Sequence, residues 1–152
     1  MKKTDKRMRL CTTLLVCNLV FIWGNSLMPA EISQSFSDYV KEVLLGLIPG
    51  GSSHSGGGSG VLRKIAHFTE FSALGFLLSW RSGMLGKGKR PAFAFGAAAA
   101  CIDETIQLFV PERGPGIKDV LLDCTGVCFG MLLLHLGHTY FKKKTTKQHS
   151  EE

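Results

Sequence analysis

Two groups of ionisable residues lie inside or against stretches of sequence that are otherwise apolar enough to enter a lipid bilayer. The first group occupies residues 63–70, which read Arg-Lys-Ile-Ala-His-Phe-Thr-Glu, and the second begins with Asp103 and Glu104. An ionisable side chain at the centre of a bilayer costs at least about 2.5 kcal/mol. Side chains of this kind are therefore expected to share a site or a network of partners.

Four apolar segments predict an all-α, polytopic membrane protein with four transmembrane helices. A segment of about 20 apolar residues crosses a hydrocarbon core of about 30 Å. For the first segment a cleaved signal peptide is the alternative, because basic residues precede it. Against cleavage, no small-x-small cleavage site follows the apolar run. The segments are residues 10–28, 65–80, 93–110 and 120–140. They form one membrane domain, residues 10–141, between a basic N-terminus (1–9) and a basic tail (142–152) that is interpreted as disordered.

The distribution of lysine and arginine predicts that both termini lie in the cytoplasm. Five of these residues precede the first span, four lie between the second and third spans, and four follow the last, whereas the two opposite connections hold five together. Cytoplasmic loops of membrane proteins carry the excess of positive charge. Because the basic residues flank apolar runs instead of lining one face, the net charge of +6 does not indicate nucleic-acid binding.

The connection after the first span predicts an amphipathic helix on the outer leaflet of the membrane. Between residues 32 and 48, apolar residues recur at helical spacing and polar residues occupy the opposite face. A helix packed on the bundle, without a lipid role, is the alternative. Residues 50–60 are rich in Gly and Ser and predict a flexible tether. The five cysteines fall in apolar runs and are interpreted as packing residues.

In this orientation the polar residues of three spans reach a similar depth below the outer surface. Helical spacing places His67 with Glu70, and Asp103 with Gln107, on one face of their helices. The candidate catalytic residues are His67, Glu70, Asp103 and Glu104. The candidate ligand-binding residues are Arg63, Lys64, His67, Glu70, Glu104, Gln107, Arg113, Asp119 and Asp123.

Simpler structural roles are open for several of these residues. Asp119 precedes an apolar run and is interpreted as a helix N-cap. Arg63, Lys64 and Arg113 are also suited to anchor the chain at the interface, and the acidic residues to a charge-balanced structural network with them. In the last span, the four-residue spacing of two glycines, at positions 126 and 130, permits close approach of another helix.

At these residues the chain resembles the VanZ-like family of bacterial membrane proteins. The resemblance runs from about residue 22 to residue 137 and implies a small multi-pass protein of the cytoplasmic membrane, in a family linked to teicoplanin resistance. Asp123-Cys124 departs from the expected Asn followed by a small residue, and Phe71 replaces the usual Tyr. The matching residues are Asn25-Ser26-Leu27-Met28-Pro29, Arg63-Lys64, His67-Phe68, Glu70-Phe71, Asp103-Glu104, Gln107, Phe109, Pro111, Arg113, Asp119, Asp123, Gly126 and Gly130.

We expect a non-enzymatic envelope protein whose outer-leaflet cleft binds a lipid, a lipid-linked cell-wall precursor or a lipoglycopeptide, and which contributes to teicoplanin-type tolerance. Arg63, Lys64 and Arg113 would contact the anionic groups of that partner. No cofactor and no metal is assigned, and a homo-oligomer is compatible with the sequence.

Two other functions compete with this expectation. A membrane-embedded hydrolase or transferase would use the candidate catalytic residues as acid and base. Its metal-dependent form would take its ligands from His67, Glu70, Glu104 and Asp123. A transporter or proton-coupled channel is disfavoured, because the inner halves of the spans are apolar apart from His135.

Overall fold

The computed structural model describes residues 3–29, 58–111 and 116–148, together with Ile32, Ser35 and Tyr39. In these residues the chain is helical and contains no strand, which confirms the all-α prediction. The three isolated residues are helical, but the rest of the predicted amphipathic helix lies outside the described residues. The four helices are α1 (Lys3–Ser26), α2 (Gly58–Met84), α3 (Lys89–Gln107) and α4 (Ile117–Gln148).

The helices differ from the predicted spans mainly at their ends. α1 begins seven residues before the predicted span, and α2 begins at Gly58, inside the predicted tether. α4 continues to Gln148, so the first part of the predicted tail is helical. α3 ends at Gln107, three residues earlier than predicted. The N–H groups of Phe109 and Val110 bond three residues back in tighter turns, and Pro111 has no N–H with which to continue a helix.

Helix α2 contacts each of the other three helices, and its contact with α4 is the most extensive in the bundle. Glycines on both helices bring the two backbones together. A Cβ atom at Gly126 would lie 2.8 Å from the carbonyl oxygen of Phe68, and one at Gly130 would overlap the carbonyl oxygen of Ser72. The four-residue glycine spacing seen in the sequence therefore lies at a close helix–helix contact.

The short connection between α2 and α3 is a tight turn at one end of the bundle. Gly86 adopts a φ of 65°, a conformation that glycine reaches without steric cost. The N–H of Lys87 donates to the carbonyl oxygen of Ser82 at 2.9 Å, and the Ser82 hydroxyl donates to the carbonyl oxygen of Gly88 at 2.8 Å. The first bond satisfies a terminal carbonyl group of α2, and the second ties Ser82 to the residue that precedes α3, so the chain turns back along α2.

Large apolar side chains cover the outside of the bundle, while several charged and polar side chains lie inside it. Phe95 and Phe109 are 69% and 84% exposed, whereas Asp103 and Asp123 are 0% and 2% exposed. By length and composition, Thr4–Ser26 and Ile117–Tyr140 are each able to cross a membrane. Exposed large apolar side chains together with buried charged side chains are the arrangement expected of helices that face lipid.

Candidate functional site

Polar side chains from all four helices meet at the end of the bundle where α1 and α3 finish and α2 and α4 begin, here called the polar end. Antiparallel neighbours explain this meeting, since the last turns of α1 and α3 lie beside the third turn of α2 and the first two turns of α4. The polar cluster is defined as Ser26, His67, Asp103, Gln107 and Asp123. Four of these five residues were singled out from the sequence for their chemistry, and Ser26 was not.

Asp103 is the best-connected member of the polar cluster. The Ser26 hydroxyl donates to its Oδ1 at 2.6 Å, and the Gln107 amide donates to its Oδ2 at 2.8 Å. The same amide lies 3.4 Å from the Ser26 hydroxyl oxygen, so the three side chains form one network. Because both carboxyl oxygens accept hydrogen bonds, the orientation of the buried Asp103 carboxyl group is fixed.

His67 lies between two buried carboxyl groups that come from different helices. Its Nδ1 is 3.7 Å from Oδ2 of Asp103 and 4.0 Å from Oδ1 of Asp123. Both distances exceed the usual hydrogen-bond range of about 2.7–3.2 Å. One ligand atom from each of the three residues lies within 4.8 Å of the other two. This arrangement is able to hold a proton or a cation between the three side chains.

Glu104 approaches the polar cluster from α3 and is 7% exposed. Its Oε2 accepts a hydrogen bond of 3.1 Å from the N–H of Gly116, while its Oε1 is buried without a hydrogen-bond partner among the described residues. It borders a cavity of about 10 Å³, enough for one water-sized occupant. The cavity is lined by Arg63, Lys64, His67, Glu104, Gln107, Asp119, Leu122 and Asp123.

Lys64 and Asp119 lie at the rim of this cavity. The Lys64 Nζ is 3.9 Å from Oδ1 of Asp119, with side chains 58% and 32% exposed, and such an exposed pair contributes at most about 1 kcal/mol. The N-cap interpretation of Asp119 is wrong, because α4 begins at Ile117 and Asp119 lies inside its first turn. A carboxylate in a first turn still interacts favourably with the positive end of the helix dipole.

Glu70 belongs to a separate contact between α1 and α2. Its Oε1 accepts a hydrogen bond of 2.7 Å from the Asn25 amide, and its Oε2 is buried without a hydrogen-bond partner in the described part of the chain. Glu70 does not line the cavity. The structure thus brings His67 together with Asp103 and Asp123, while Glu70, one of the four predicted ligands, lies apart from them.

Asn25 and Ser26 were not predicted as site residues, although both contact candidate residues. The available signal was their position, because two small polar side chains close the first apolar run at the depth predicted for Asp103. Arg113 cannot be placed in the same way, since residues 112–115 lie outside the described part of the chain.

A family model described as VanZ/LLP1 matches residues 11–138, which include the whole polar cluster and every residue that lines the cavity. The chain has no match among curated proteins and none among solved structures.

Proposed function

The chain belongs to the VanZ/LLP1 family, and from this premise we propose that it is a multi-pass protein of the bacterial cell envelope. Its polar end binds the anionic headgroup of a membrane lipid, a lipid-linked cell-wall precursor or a lipoglycopeptide, and this binding contributes to teicoplanin-type tolerance. The observation that carries the proposal is the cationic rim, formed by Arg63 and Lys64, of a cavity at the polar end.

In this proposal all four helices cross the cytoplasmic membrane, both termini are cytoplasmic and the polar end lies in the outer leaflet. α1 and α4 are apolar enough to span by composition alone. α3 has 19 residues, and a helix of this length measures about 28 Å, close to the thickness of the hydrocarbon core. The acidic residues that lower its apolar character, Asp103 and Glu104, are buried inside the bundle and away from lipid.

The proposed topology is tested with reporter fusions. A reporter fused after Lys147 and a reporter inserted in the turn at Gly86 should both report a cytoplasmic location, because both sites lie on the side with excess positive charge. An extracytoplasmic reading at either site would contradict the four-span arrangement.

Two cationic side chains at the cavity, Arg63 and Lys64, are able to bind an anionic group, although three carboxyl groups, those of Glu104, Asp119 and Asp123, line the same cavity. Arg63 is half-buried at the cavity, and a guanidinium group binds phosphate or carboxylate through two parallel hydrogen bonds. The cavity of about 10 Å³ is too small for a whole headgroup. The headgroup is therefore placed at the rim, with at most one oxygen atom entering the cavity.

A second surface feature supports a lipid as the partner. α1 and α4 flank an apolar groove of about 860 Å³ whose floor is α2. The groove begins at Phe21 and Phe68, near the polar end, and continues to Leu14 and Leu133. Its length along the bundle and its apolar walls suit one acyl or isoprenoid chain.

Substitution of Arg63 tests the binding proposal. In cells whose teicoplanin tolerance depends on this protein, Arg63→Gln should reduce tolerance, and the purified variant in nanodiscs should bind an anionic lipid about tenfold more weakly, the loss expected for about 1.4 kcal/mol. Arg90→Gln is the matched control, because Arg90 lies in the first turn of α3, at the opposite end of the bundle. Equal tolerance and equal binding in Arg63→Gln and the unmodified protein would refute the proposal.

The second candidate function is a membrane-embedded hydrolase or transferase. The observation that favours it is the imidazole of His67, whose Nδ1 lies near two carboxyl groups and which borders the cavity. His67 would act as a general base, positioned by Asp103. The test measures phosphate release from a lipid-linked pyrophosphate by the reconstituted protein. Release that is abolished in His67→Gln, without loss of lipid binding, would favour catalysis. Unchanged turnover in that variant would exclude His67 as the base.

A further inference from the structure

We propose that His67, Asp103 and Asp123 form a binding site for a divalent transition-metal ion such as Zn²⁺ or Mn²⁺. The three residues come from α2, α3 and α4, and each offers one ligand atom within 4.8 Å of the other two. The site lies beneath the cationic rim, but its existence does not depend on which headgroup binds there.

The distances between the ligand atoms suit a single ion. Bonds from Zn²⁺ to histidine nitrogen or carboxylate oxygen measure about 2.0–2.2 Å, so two ligand atoms of a tetrahedral ion lie about 3.4 Å apart. Nδ1 of His67 is 3.7 Å from the Asp103 oxygen and 4.0 Å from the Asp123 oxygen. The ligand atoms of the three residues lie within 4.8 Å of one another, so side-chain movements that shorten each separation by at most about 1.4 Å let all three reach one ion.

Glu104 supplies an independent indication of a ligand. This side chain is 7% exposed, and its Oε1 is buried without a hydrogen-bond partner in the described residues. A buried carboxyl oxygen without a partner is energetically unfavourable and calls for an explanation. Glu104 lines the same cavity as His67 and Asp123, and that cavity has the volume of one water-sized occupant. Glu104 is not one of the three residues whose ligand atoms lie within 4.8 Å of one another, so its Oε1 is placed to reach the ion through a water molecule.

The surroundings of Asp103 resemble those of a supported metal ligand. Ser26 and Gln107 donate to its two carboxyl oxygens at 2.6 and 2.8 Å. Outer hydrogen bonds of this kind orient a ligating carboxylate and strengthen metal binding. Each carboxylate oxygen has two lone pairs, so Oδ2 is able to accept from Gln107 and still bind an ion.

The chemistry of the ligand atoms selects the type of ion. Two carboxylates together carry the charge that neutralises a divalent cation. A bound cation would therefore offset the unfavourable burial of these two negative charges side by side. A ligand set of one imidazole nitrogen and carboxylate oxygens suits Zn²⁺ or Mn²⁺, whereas Mg²⁺ and Ca²⁺ typically occupy sites whose ligands are all oxygen atoms. This set differs from the one expected from the sequence, because Asp103 takes the place of Glu70.

Direct metal titration tests the site. The full chain carries a tag without histidine, is reconstituted in nanodiscs, and is stripped of metal with a chelator. Added Co²⁺, a coloured substitute for Zn²⁺, should bind with about one equivalent per chain and give visible absorption bands of a nitrogen- and oxygen-ligated ion. Added Zn²⁺ should displace it and should raise the melting temperature of the protein.

Matched amide substitutions identify the ligands. Asp123→Asn and His67→Gln should each weaken Co²⁺ binding at least about tenfold, the loss that even an outer-shell change produces. Ser26→Ala should weaken it by about the same factor through the orientation of Asp103. Glu70→Gln is the control, because Glu70 lies one turn after His67 on α2 but bonds Asn25 outside the site.

The outcomes separate the metal site from the headgroup proposal. Absence of Co²⁺ absorption and of a Zn²⁺-dependent shift in the unmodified, folded protein would overturn the metal site, whatever the lipid-binding result. Unchanged affinity in both Asp123→Asn and His67→Gln, or a loss in Glu70→Gln as large as theirs, would do the same. Tight Co²⁺ binding together with failed lipid binding would retain the metal site and reject the headgroup proposal.

Discussion

Replacement of Gly130 by alanine is expected to loosen the contact between α2 and α4 and to lower the melting temperature of the protein. The added Cβ would overlap the carbonyl oxygen of Ser72 and would lie 2.7 Å from the backbone nitrogen of Phe76. Both of these atoms belong to the α2 backbone. No side-chain rotation relieves the overlap, so the two helices must move apart.

The structure gives the size of this effect. Overpacking a well-packed contact costs about 1–3 kcal/mol, and a backbone clash belongs at the upper end of that range. Alanine is better than glycine in a helix by about 1 kcal/mol, which offsets part of the loss. A net destabilisation of about 2 kcal/mol remains, and in a chain of this size it lowers the melting temperature by about 4–8 °C.

Gly137→Ala is the matched control, since the substitution is the same and lies on the same helix. A Cβ at Gly137 would meet no atom within 4 Å, so only the gain in helix propensity applies, and the melting temperature should stay level or rise by a few degrees, about 4 °C at most. Both variants are compared with the unmodified protein by thermal unfolding in the same detergent. A similar change in the two variants, in either direction, would refute the close helix contact at Gly130.

Three further predictions concern hydrogen bonds between helices. Ser26→Ala removes a donor to the buried Asp103 and should destabilise the protein by about 1–3 kcal/mol in thermal unfolding. Asn25→Ala leaves Glu70 without its hydrogen bond and should destabilise more than the double variant Asn25→Ala/Glu70→Leu, because the double variant leaves no buried carboxyl group unpaired; purely additive losses would contradict this. Arg81→Gln removes a hydrogen bond between α2 and α1 at the opposite end of the bundle, so it should lower the melting temperature modestly and leave Co²⁺ affinity unchanged.

Much of the fold follows from the sequence because apolar run length and the breaks between runs decide where helices form. All four predicted spans correspond to helices in the structure. The ends of the helices were less predictable. Polar residues at the start of α1 and at the end of α4 are helical, but they do not belong to the apolar runs from which the spans were predicted. The early end of α3 depends on the tight turns at Phe109 and Val110, which hydropathy does not encode.

The sequence predicted which residues belong to the candidate site better than it predicted which of them contact one another. Helical spacing correctly grouped Asp103 with Gln107, which are hydrogen-bonded. It also grouped His67 with Glu70. One face of a helix is wide enough to contact two neighbouring helices, so two residues on that face can have different partners. α1 pairs with Glu70 through Asn25, while α3 and α4 pair with His67. Packing decides which neighbouring helix lies on which side of α2, and a single sequence does not reveal this arrangement.

The glycines of α4 connect this packing to the chemistry of the site. Asp123 lies one turn before Gly126, and a Cβ at Gly126 would press against the α2 backbone at Phe68, the residue directly after His67. The separation of α2 and α4 at this level therefore sets the 4.0 Å distance between His67 and Asp123. A side chain at Gly126 would widen that distance even though it touches neither residue. The glycine pattern, which occurs often by chance in apolar runs, thus acts here as a positioning element for the polar cluster.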